Sequence, residues 1–202
     1  MPKASKKALK PNPPVARNEV FPPLATKRVL TCHHVEPDQI ITIQDVITAE
    51  ECKTFVNFID NLPLELTPPK KRGEADRVNH RLSILSTEFA QNLFVMLAPH
   101  LPEFPFPASA KRTTPSGRKP HSFNPNIRLY KYTPNQHFGP HYDESVRDMQ
   151  TGAHSEWTVL VYLTGEEDGV LGGEASHGKT RDAIKPPLKR GTALLHRSVH
   201  SV

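Results

Sequence analysis

The chain has 202 residues, of which 36% are hydrophobic and 23% are charged. This length suits one domain, and this composition is too apolar for a chain that is disordered throughout. Apolar runs such as Val159 to Leu163 are only five or six residues long, whereas a membrane helix needs about 20 residues. Cys32 and Cys52 are too few for a disulfide framework and lack zinc-site spacing. The N-terminus has no apolar leader, so we expect an intracellular protein, cytoplasmic or nuclear, with no membrane partner.

Positive charge is concentrated at the N-terminus. The net charge is +5, but the first 30 residues alone carry a net +6, so the rest of the chain sums to −1. The same segment holds six of the 21 prolines, which interrupt helices and strands. We predict that residues 1–28 form a disordered basic arm that is a solvated terminus, with a nuclear address or a weak nucleic-acid contact as the alternative. Residues 29–202 are predicted to form the folded domain.

A strand followed by a helix is predicted at the start of that domain. Residues 39–46 alternate apolar and polar side chains and then lead towards Thr48 and Glu51, which have the spacing of a capping box. The apolar residues that follow recur with helical spacing and predict a helix over residues 49–61. They are Cys52, Phe55, Val56, Ile59 and Leu62.

A second helix is predicted to begin at Ser86 or Thr87, because either side chain can cap a helix and apolar residues follow with helical spacing. Pro99 lies near its predicted end. The stretch over residues 101–126 contains six prolines, which predicts an irregular segment that is either a lid or disordered.

Strands are predicted over most of the remaining chain. Residues 126–132 alternate apolar and polar side chains, and residues 157–163 are apolar on both faces, as in a central strand. A further strand is predicted over residues 191–199. This order of elements favours an α+β fold with helices packed outside a β-sandwich or barrel.

The best candidates for chemistry are His141 and Asp143. Residues i and i+2 of an extended segment point to the same side, so this imidazole and carboxylate can face one cation. The similar triplet His154-Ser155-Glu156 is interpreted as chance. A second imidazole from a distant strand would complete a facial triad that suits Fe(II). His200, 57 residues after Asp143, ends the last predicted strand.

Several blocks of sequence accompany this triplet in a fixed order from Val46 to the C-terminus: residues 46–52, 77–81, 128–143, 157–163, 171–174 and 185–195. Together they resemble the prolyl 4-hydroxylase-like branch of the Fe(II)/2-oxoglutarate dioxygenases. The resemblance implies a double-stranded β-helix, a distorted jelly roll with the iron inside its mouth. It also implies that Tyr132, nine residues before His141, contacts the co-substrate.

The function that this resemblance implies is hydroxylation of a protein or peptide side chain, peptidyl proline being the family's best-known target. Fe(II), the co-substrate 2-oxoglutarate and dioxygen are implied, with ascorbate as an optional further cofactor. His141 and Asp143 would be metal ligands, with His200 as the third and His196 as its alternative. Thr158 or Tyr162 could line the pocket, although core packing is the favoured role of Tyr162. No recognition helix carries suitably placed basic residues, so a nucleic-acid partner is not expected.

The chain departs from the family pattern at its end. His200-Ser201-Val202 matches the family's His-x-Val but comes early, and no Lys or Arg follows it to bind the far carboxylate of 2-oxoglutarate. Either Arg197 or another basic side chain replaces that anchor, or the chain is a truncated homologue. A truncated form without its final strand would turn over slowly or act as a non-catalytic binding module.

Overall fold

The structure is a computed structural model and describes residues 20–103, 119–149, 151–171 and 185–198. These residues form two α-helices, α1 (Ala49–Asp60) and α2 (Thr87–Leu97), together with nine strands. All strand pairs between them are antiparallel, so the predicted α+β class is confirmed. The strands are β1 (Thr31–Glu36), β2 (Ile40–Gln44), β3 (Glu65–Leu66), β4 (Arg77–Val78), β5 (His80–Leu85), β6 (Asn126–Lys131), β7 (His137–Phe138), β8 (Trp157–Val161) and β9 (Ala193–Arg197).

The strands make three sheets. The largest has the order β1-β2-β9-β8, the second has the order β3-β5-β6, and β4 pairs with β7. Strand β2 is buried along four of its five residues, which suits its place between β1 and β9. Within the described ranges the sheets do not close into a barrel.

Helix α1 begins where the capping box predicts. The hydroxyl of Thr48 accepts a hydrogen bond from the backbone N–H of Glu51, and the Glu51 carboxylate accepts one from the backbone N–H of Thr48. These bonds satisfy two N–H groups that the first helical turn leaves without partners. The helix buries Cys52, Phe55 and Ile59, which are three of the residues in the predicted apolar face.

Helix α2 begins at the predicted cap. The Ser86 hydroxyl accepts a hydrogen bond from the backbone N–H of Phe89 at 3.2 Å. A short 3-10 helix (Ala98–His100), with Pro99 inside it, follows Leu97. Neither α1 nor α2, the two α-helices of the described part, is long and apolar enough to cross a membrane.

The core lies between the helices and one face of the two larger sheets. Strand residues that contribute to it include Ile41, Ile43, Ile84, Leu129 and Leu195, each at most 8% exposed. Removing side chains of this size from water stabilises a fold by about 1.5–3 kcal/mol each. An ion pair also joins the second sheet to α1. Lys131 Nζ of β6 lies 2.6 Å from Asp60 Oδ1 of α1, so Lys131 is on the side of this sheet that faces the helices.

The predicted boundary of the N-terminal arm at residue 28 is wrong. Phe21 is buried, and its ring packs against Phe58 and Phe89 at centroid distances of 5.5 and 4.5 Å. Lys27 forms an ion pair with Glu51 in α1. Residues 20–28 therefore belong to the packed domain, since one buried aromatic ring and one partly buried ion pair hold an otherwise irregular segment. Residues 1–19 of the predicted arm lie outside the described part.

The prediction that residues 157–163 form a central strand is also wrong for the described part of the chain. Strand β8 pairs with β9 on one side and is the outermost described strand of its sheet. Its five side chains are only partly buried, whereas β2 takes the central, buried place. A run of apolar residues indicates that a strand is buried, but it does not distinguish a central strand from an edge strand that other segments cover. Residues 104–118 of the predicted lid, and 172–174 in the family-like block, lie outside the described part.

Candidate functional site

His141 and Asp143 lie on the loop that follows β7. The backbone N–H of Gly139 donates to the carbonyl oxygen of Asp76 at 2.6 Å, which ties this loop to the chain just before β4. Nε2 of His141 lies 3.6 Å from Oδ1 of Asp143. The structure therefore brings together the two side chains that the i, i+2 spacing singled out, although the segment belongs to no strand.

Two contacts fix the orientation of the His141 ring. Nδ1 lies 2.9 Å from the carbonyl oxygen of Gly139, and the ring stacks on Phe138 with centroids 3.7 Å apart and planes 12° from parallel. A carbonyl oxygen can only accept, so Nδ1–H is the donor. Neutral His141 then presents the lone pair of Nε2 to the Asp143 carboxylate. A lone pair and an anion repel each other, and a metal cation between them would relieve this repulsion.

A second imidazole approaches the same carboxylate from strand β9. Nε2 of His196 lies 3.1 Å from Oδ2 of Asp143. Across the β8–β9 pair His196 stands opposite Thr158, whose hydroxyl also hydrogen-bonds to Asp143. The Thr158 hydroxyl is 3.3 Å from that of Ser198 as well. Strands β8 and β9 thus contact the carboxylate through Thr158 and His196, whereas His141 approaches it from the loop after β7.

The neighbours of Asp143 favour its ionised form. The hydrogen bond from His196 has the largest effect and holds the pKa of Asp143 below its ordinary value. Partial burial opposes this effect, while the two imidazoles and the Thr158 hydroxyl add to it. The result is one anionic carboxylate with a histidine against each of its oxygens.

These three side chains fit a transition-metal ion in their chemistry. Two imidazole nitrogens and one carboxylate oxygen are the donors of a facial triad, a set suited to Fe(II). Nδ1–H of His141 also donates to a carbonyl, which is the usual second contact of a metal-binding histidine. The three side chains approach one another only as two separate pairs, however: His141 lies against one oxygen of Asp143 and His196 lies against the other. In the described ranges no group of three or more His, Cys, Asp or Glu side chains is arranged to hold a metal ion.

Tyr132, the predicted co-substrate contact, makes no hydrogen bond to His141 or Asp143 in the described part of the chain. Its ring is about half exposed, at 46%. Burial of the remainder raises the pKa of its phenol, as does the nearby Tyr130, while the positive charge of Arg77 acts in the opposite direction. The guanidinium carbon of Arg77 in turn lies 4.8 Å from the centroid of the Phe138 ring, on which His141 stacks.

A cleft of about 520 Å³ opens beside His141. Two segments line it, the loop between β3 and β4 and the loop after β7. Tyr142 is 69% exposed and offers an aromatic surface at this place. The charged residues that line the cleft are Lys70, Glu74, Asp76 and Glu144.

The other predicted site residues fall in different places. Thr158 contacts Asp143, as described above. Burial raises the pKa of Tyr162 to about 12, and its backbone bonds to Gly191 and Thr192, which agrees with core packing. His200 lies outside the described residues. His196, the alternative to His200, is the histidine that the structure places against Asp143.

Comparisons of the chain with protein-family models, with curated proteins and with solved structures found no match. Its function has to be inferred from the residues of the site.

Proposed function

We propose that this chain is an Fe(II)- and 2-oxoglutarate-dependent dioxygenase that hydroxylates a protein side chain, and that its sheets belong to a double-stranded β-helix. The observation that supports the proposal most is the Asp143 carboxylate between Nε2 of His141 and Nε2 of His196. A carboxylate with two imidazoles is the donor set of non-haem Fe(II) oxygenases that use a facial triad. The order of family-like sequence blocks adds independent support.

Each of these side chains has a defined task in the proposed site. His141, oriented by Gly139 and Phe138, would bind the metal through Nε2. Asp143, which its neighbours keep ionised, would supply the anionic ligand. His196 is the third donor that its distance from Asp143 favours, with His200 as the alternative. When bound, Fe(II) would supply chelation of 2-oxoglutarate and activation of dioxygen.

The cleft beside His141 is the proposed place for the protein substrate. It is open and adjoins the ring that would bind the metal, so a peptide lying there would bring a side chain close to the site. The exposed Tyr142 and the neighbouring Pro140 provide apolar contacts for such a peptide. Peptidyl proline is the substrate that the family resemblance favours.

Anaerobic titration with Fe(II), with and without 2-oxoglutarate, tests the proposal. We expect one Fe(II) per chain and a charge-transfer absorption band that requires both Fe(II) and 2-oxoglutarate. Asp143→Ala should abolish stoichiometric binding, because two neutral imidazoles hold this cation weakly. Glu156→Ala, in the triplet interpreted as chance, is the control and should bind normally. Unchanged iron content in Asp143→Ala would remove the basis of the proposal.

A non-catalytic binding module is the second candidate. It is favoured by the fact that both oxygens of Asp143 already face an imidazole, which is also the arrangement of a purely structural ion-pair cluster. Release of succinate from 2-oxoglutarate distinguishes the two candidates. Release that depends on iron and on Asp143 supports the enzyme, whereas a chain that binds iron and 2-oxoglutarate without releasing succinate is the binding module.

A further inference from the structure

The hydroxyl groups of Thr158 and Ser198 form a chain of hydrogen bonds that ends at Asp143. Thr158 on β8 hydrogen-bonds to the Asp143 carboxylate, and its side-chain oxygen lies 3.3 Å from that of Ser198. Ser198 directly follows β9 and is only 4% exposed. Buried hydroxyls almost always have a hydrogen-bond partner, and Thr158 provides one for Ser198. The carboxylate is thus joined to β8 and to the residue that follows β9.

The chemistry of the three groups fixes the direction of these bonds. An ionised carboxylate carries no proton and only accepts hydrogen bonds, so Thr158 donates to Asp143. A hydroxyl has a single proton, which Thr158 directs at the carboxylate, so Ser198 is the donor between the two hydroxyls. Each bond in such a chain polarises the next and strengthens it. Ser198 therefore orients the Thr158 hydroxyl towards Asp143.

The pairing of β8 with β9 sets the positions of both hydroxyls. Thr158 stands directly opposite His196. The backbone N–H of Ser198 donates to the carbonyl oxygen of Glu156 at 2.9 Å, which extends this pairing by one residue. Alternate residues of a strand share a side, so Thr158, His196 and Ser198 lie on one side of the sheet. Leu195, the neighbour of His196, belongs to the core on the other side.

Asp143 depends on contacts of this kind because it lies in a loop. The residues from Gly139 to Asp143 belong to no strand, and the Asp143 side chain is partly exposed. A metal ligand has to be held within about 0.5 Å of its working position. His196 also contacts the carboxylate, but in the proposed site its Nε2 binds the metal and no longer donates to Asp143. The Thr158 hydroxyl is outside the ligand set, so it would keep its bond when a metal is bound.

We propose that Thr158 is a positioning residue, whose hydroxyl, oriented by Ser198, holds the Asp143 carboxylate in place for a divalent metal ion. The inference rests on the proposed function, in which Asp143 is a ligand of Fe(II). Carboxylates that bind metals are themselves hydrogen-bonded, and these outer contacts tune the affinity of the site. The affinity for metal should therefore depend on a hydroxyl that is not one of the proposed ligands.

Anaerobic Fe(II) titration of variants of the full chain tests this. Thr158→Val keeps the shape of the side chain and removes its hydroxyl, so it should weaken Fe(II) binding by about 10- to 100-fold. Thr158→Ser restores the hydroxyl and should recover most of the affinity. Ser198→Ala leaves the bond between Thr158 and Asp143 and should lose less than Thr158→Val. Thr192→Val is the matched control, because the Thr192 hydroxyl is buried and has no hydrogen-bond partner among the described residues. It should bind Fe(II) as the wild type does.

Two results of the titration would overturn the inference: an unchanged Fe(II) affinity in Thr158→Val, or equal losses in Thr158→Val and Thr158→Ser. A loss in Thr192→Val as large as that in Thr158→Val would do so too. Thermal unfolding of each variant shows whether a loss of binding reflects a loss of folding. If Thr158→Val does not fold, the comparison of Thr158→Ala with Thr158→Ser takes its place.

A double-mutant cycle in the metal-free protein separates this inference from the proposed function. The losses of unfolding free energy in Thr158→Val and Asp143→Ala should not add in the double variant, because either change alone removes the same hydrogen bond. Additive losses would overturn the inference. Non-additive losses in a chain that binds no Fe(II) would leave the hydrogen bond standing and reject the dioxygenase. Iron binding that requires Asp143 but ignores Thr158→Val would reject the positioning role and keep the dioxygenase.

Discussion

Nε2 of His196 lies 3.1 Å from Oδ2 of Asp143 and connects strand β9 to the loop that follows β7. The two residues are 53 positions apart in the chain, so this contact depends on the pairing of β9 with β8 and on the course of the loop. It also decides which histidine is the better candidate for the third metal ligand.

His196→Ala should weaken Fe(II) binding by at least about tenfold, because it removes the second imidazole next to the carboxylate. His200→Ala should have the smaller effect, and His154→Ala, from the triplet interpreted as chance, should have none. Anaerobic titration of the three variants measures this. If His200→Ala abolishes binding while His196→Ala retains it, His200 is the third ligand and the contact between His196 and Asp143 is only an ion pair.

Local patterns predicted the helices and one half of the site. Both α1 and α2 begin at capping residues whose hydrogen bonds form within four residues, so the short-range sequence is sufficient. The same holds for His141 and Asp143, which are two positions apart. Strands β3, β4 and β7 have two residues each and could not be predicted, because their formation depends on partners far away in the chain, such as Phe138 for Arg77. The proximity of His196 to Asp143 has the same long-range origin.

Phe21→Ala should lower the free energy of unfolding by about 3 kcal/mol, since it removes a buried ring that packs against Phe58 and Phe89. Val20→Ala is the matched control, because Val20 is 83% exposed and should contribute little. Urea unfolding measures both variants. Deleting residues 1–28 removes the same ring and should lower the unfolding midpoint too. A neutral Phe21→Ala would restore the interpretation of this whole segment as an unpacked arm.

Gly191→Ala should destabilise the protein more than Gly169→Ala. Both glycines have positive φ angles, +77° and +82°, so alanine is strained at either position, at a cost of about 1–3 kcal/mol. At Gly191 an added Cβ would also collide with the carbonyl oxygen of Ile47, whereas at Gly169 it meets nothing within 4 Å. The Ile47 carbonyl belongs to the backbone just before α1 and cannot turn aside as a side chain could. Equal unfolding midpoints for the two variants would show that the segment before α1 shifts freely.

Glu51→Gln should destabilise the protein at pH 7 by an amount that disappears in acid. Partial burial of Glu51 disfavours its charge, but the Lys27 ammonium and the backbone N–H groups of Thr48 and Ala25 outweigh this effect and hold the pKa of Glu51 below its ordinary value of 4.5. A group whose pKa is lowered on folding stabilises the folded state fully above its unfolded pKa. That contribution is lost as the pH falls through the folded pKa, so the difference between wild type and Glu51→Gln should shrink below pH 4.5.

Urea unfolding at pH 7 and pH 3 measures the Glu51 difference, and glutamine preserves the shape of the capping box. The neighbouring Glu50 is the control. Its ion pair with Lys53 is exposed, with the two side chains 82% and 63% accessible, and solvent screens exposed pairs so that they contribute little to stability. Glu50→Gln should therefore change stability less at pH 7. A Glu51→Gln difference that stays constant between pH 7 and pH 3 would show that this variant loses packing or cap geometry, and that the charge of Glu51 does not hold residues 20–28 against α1.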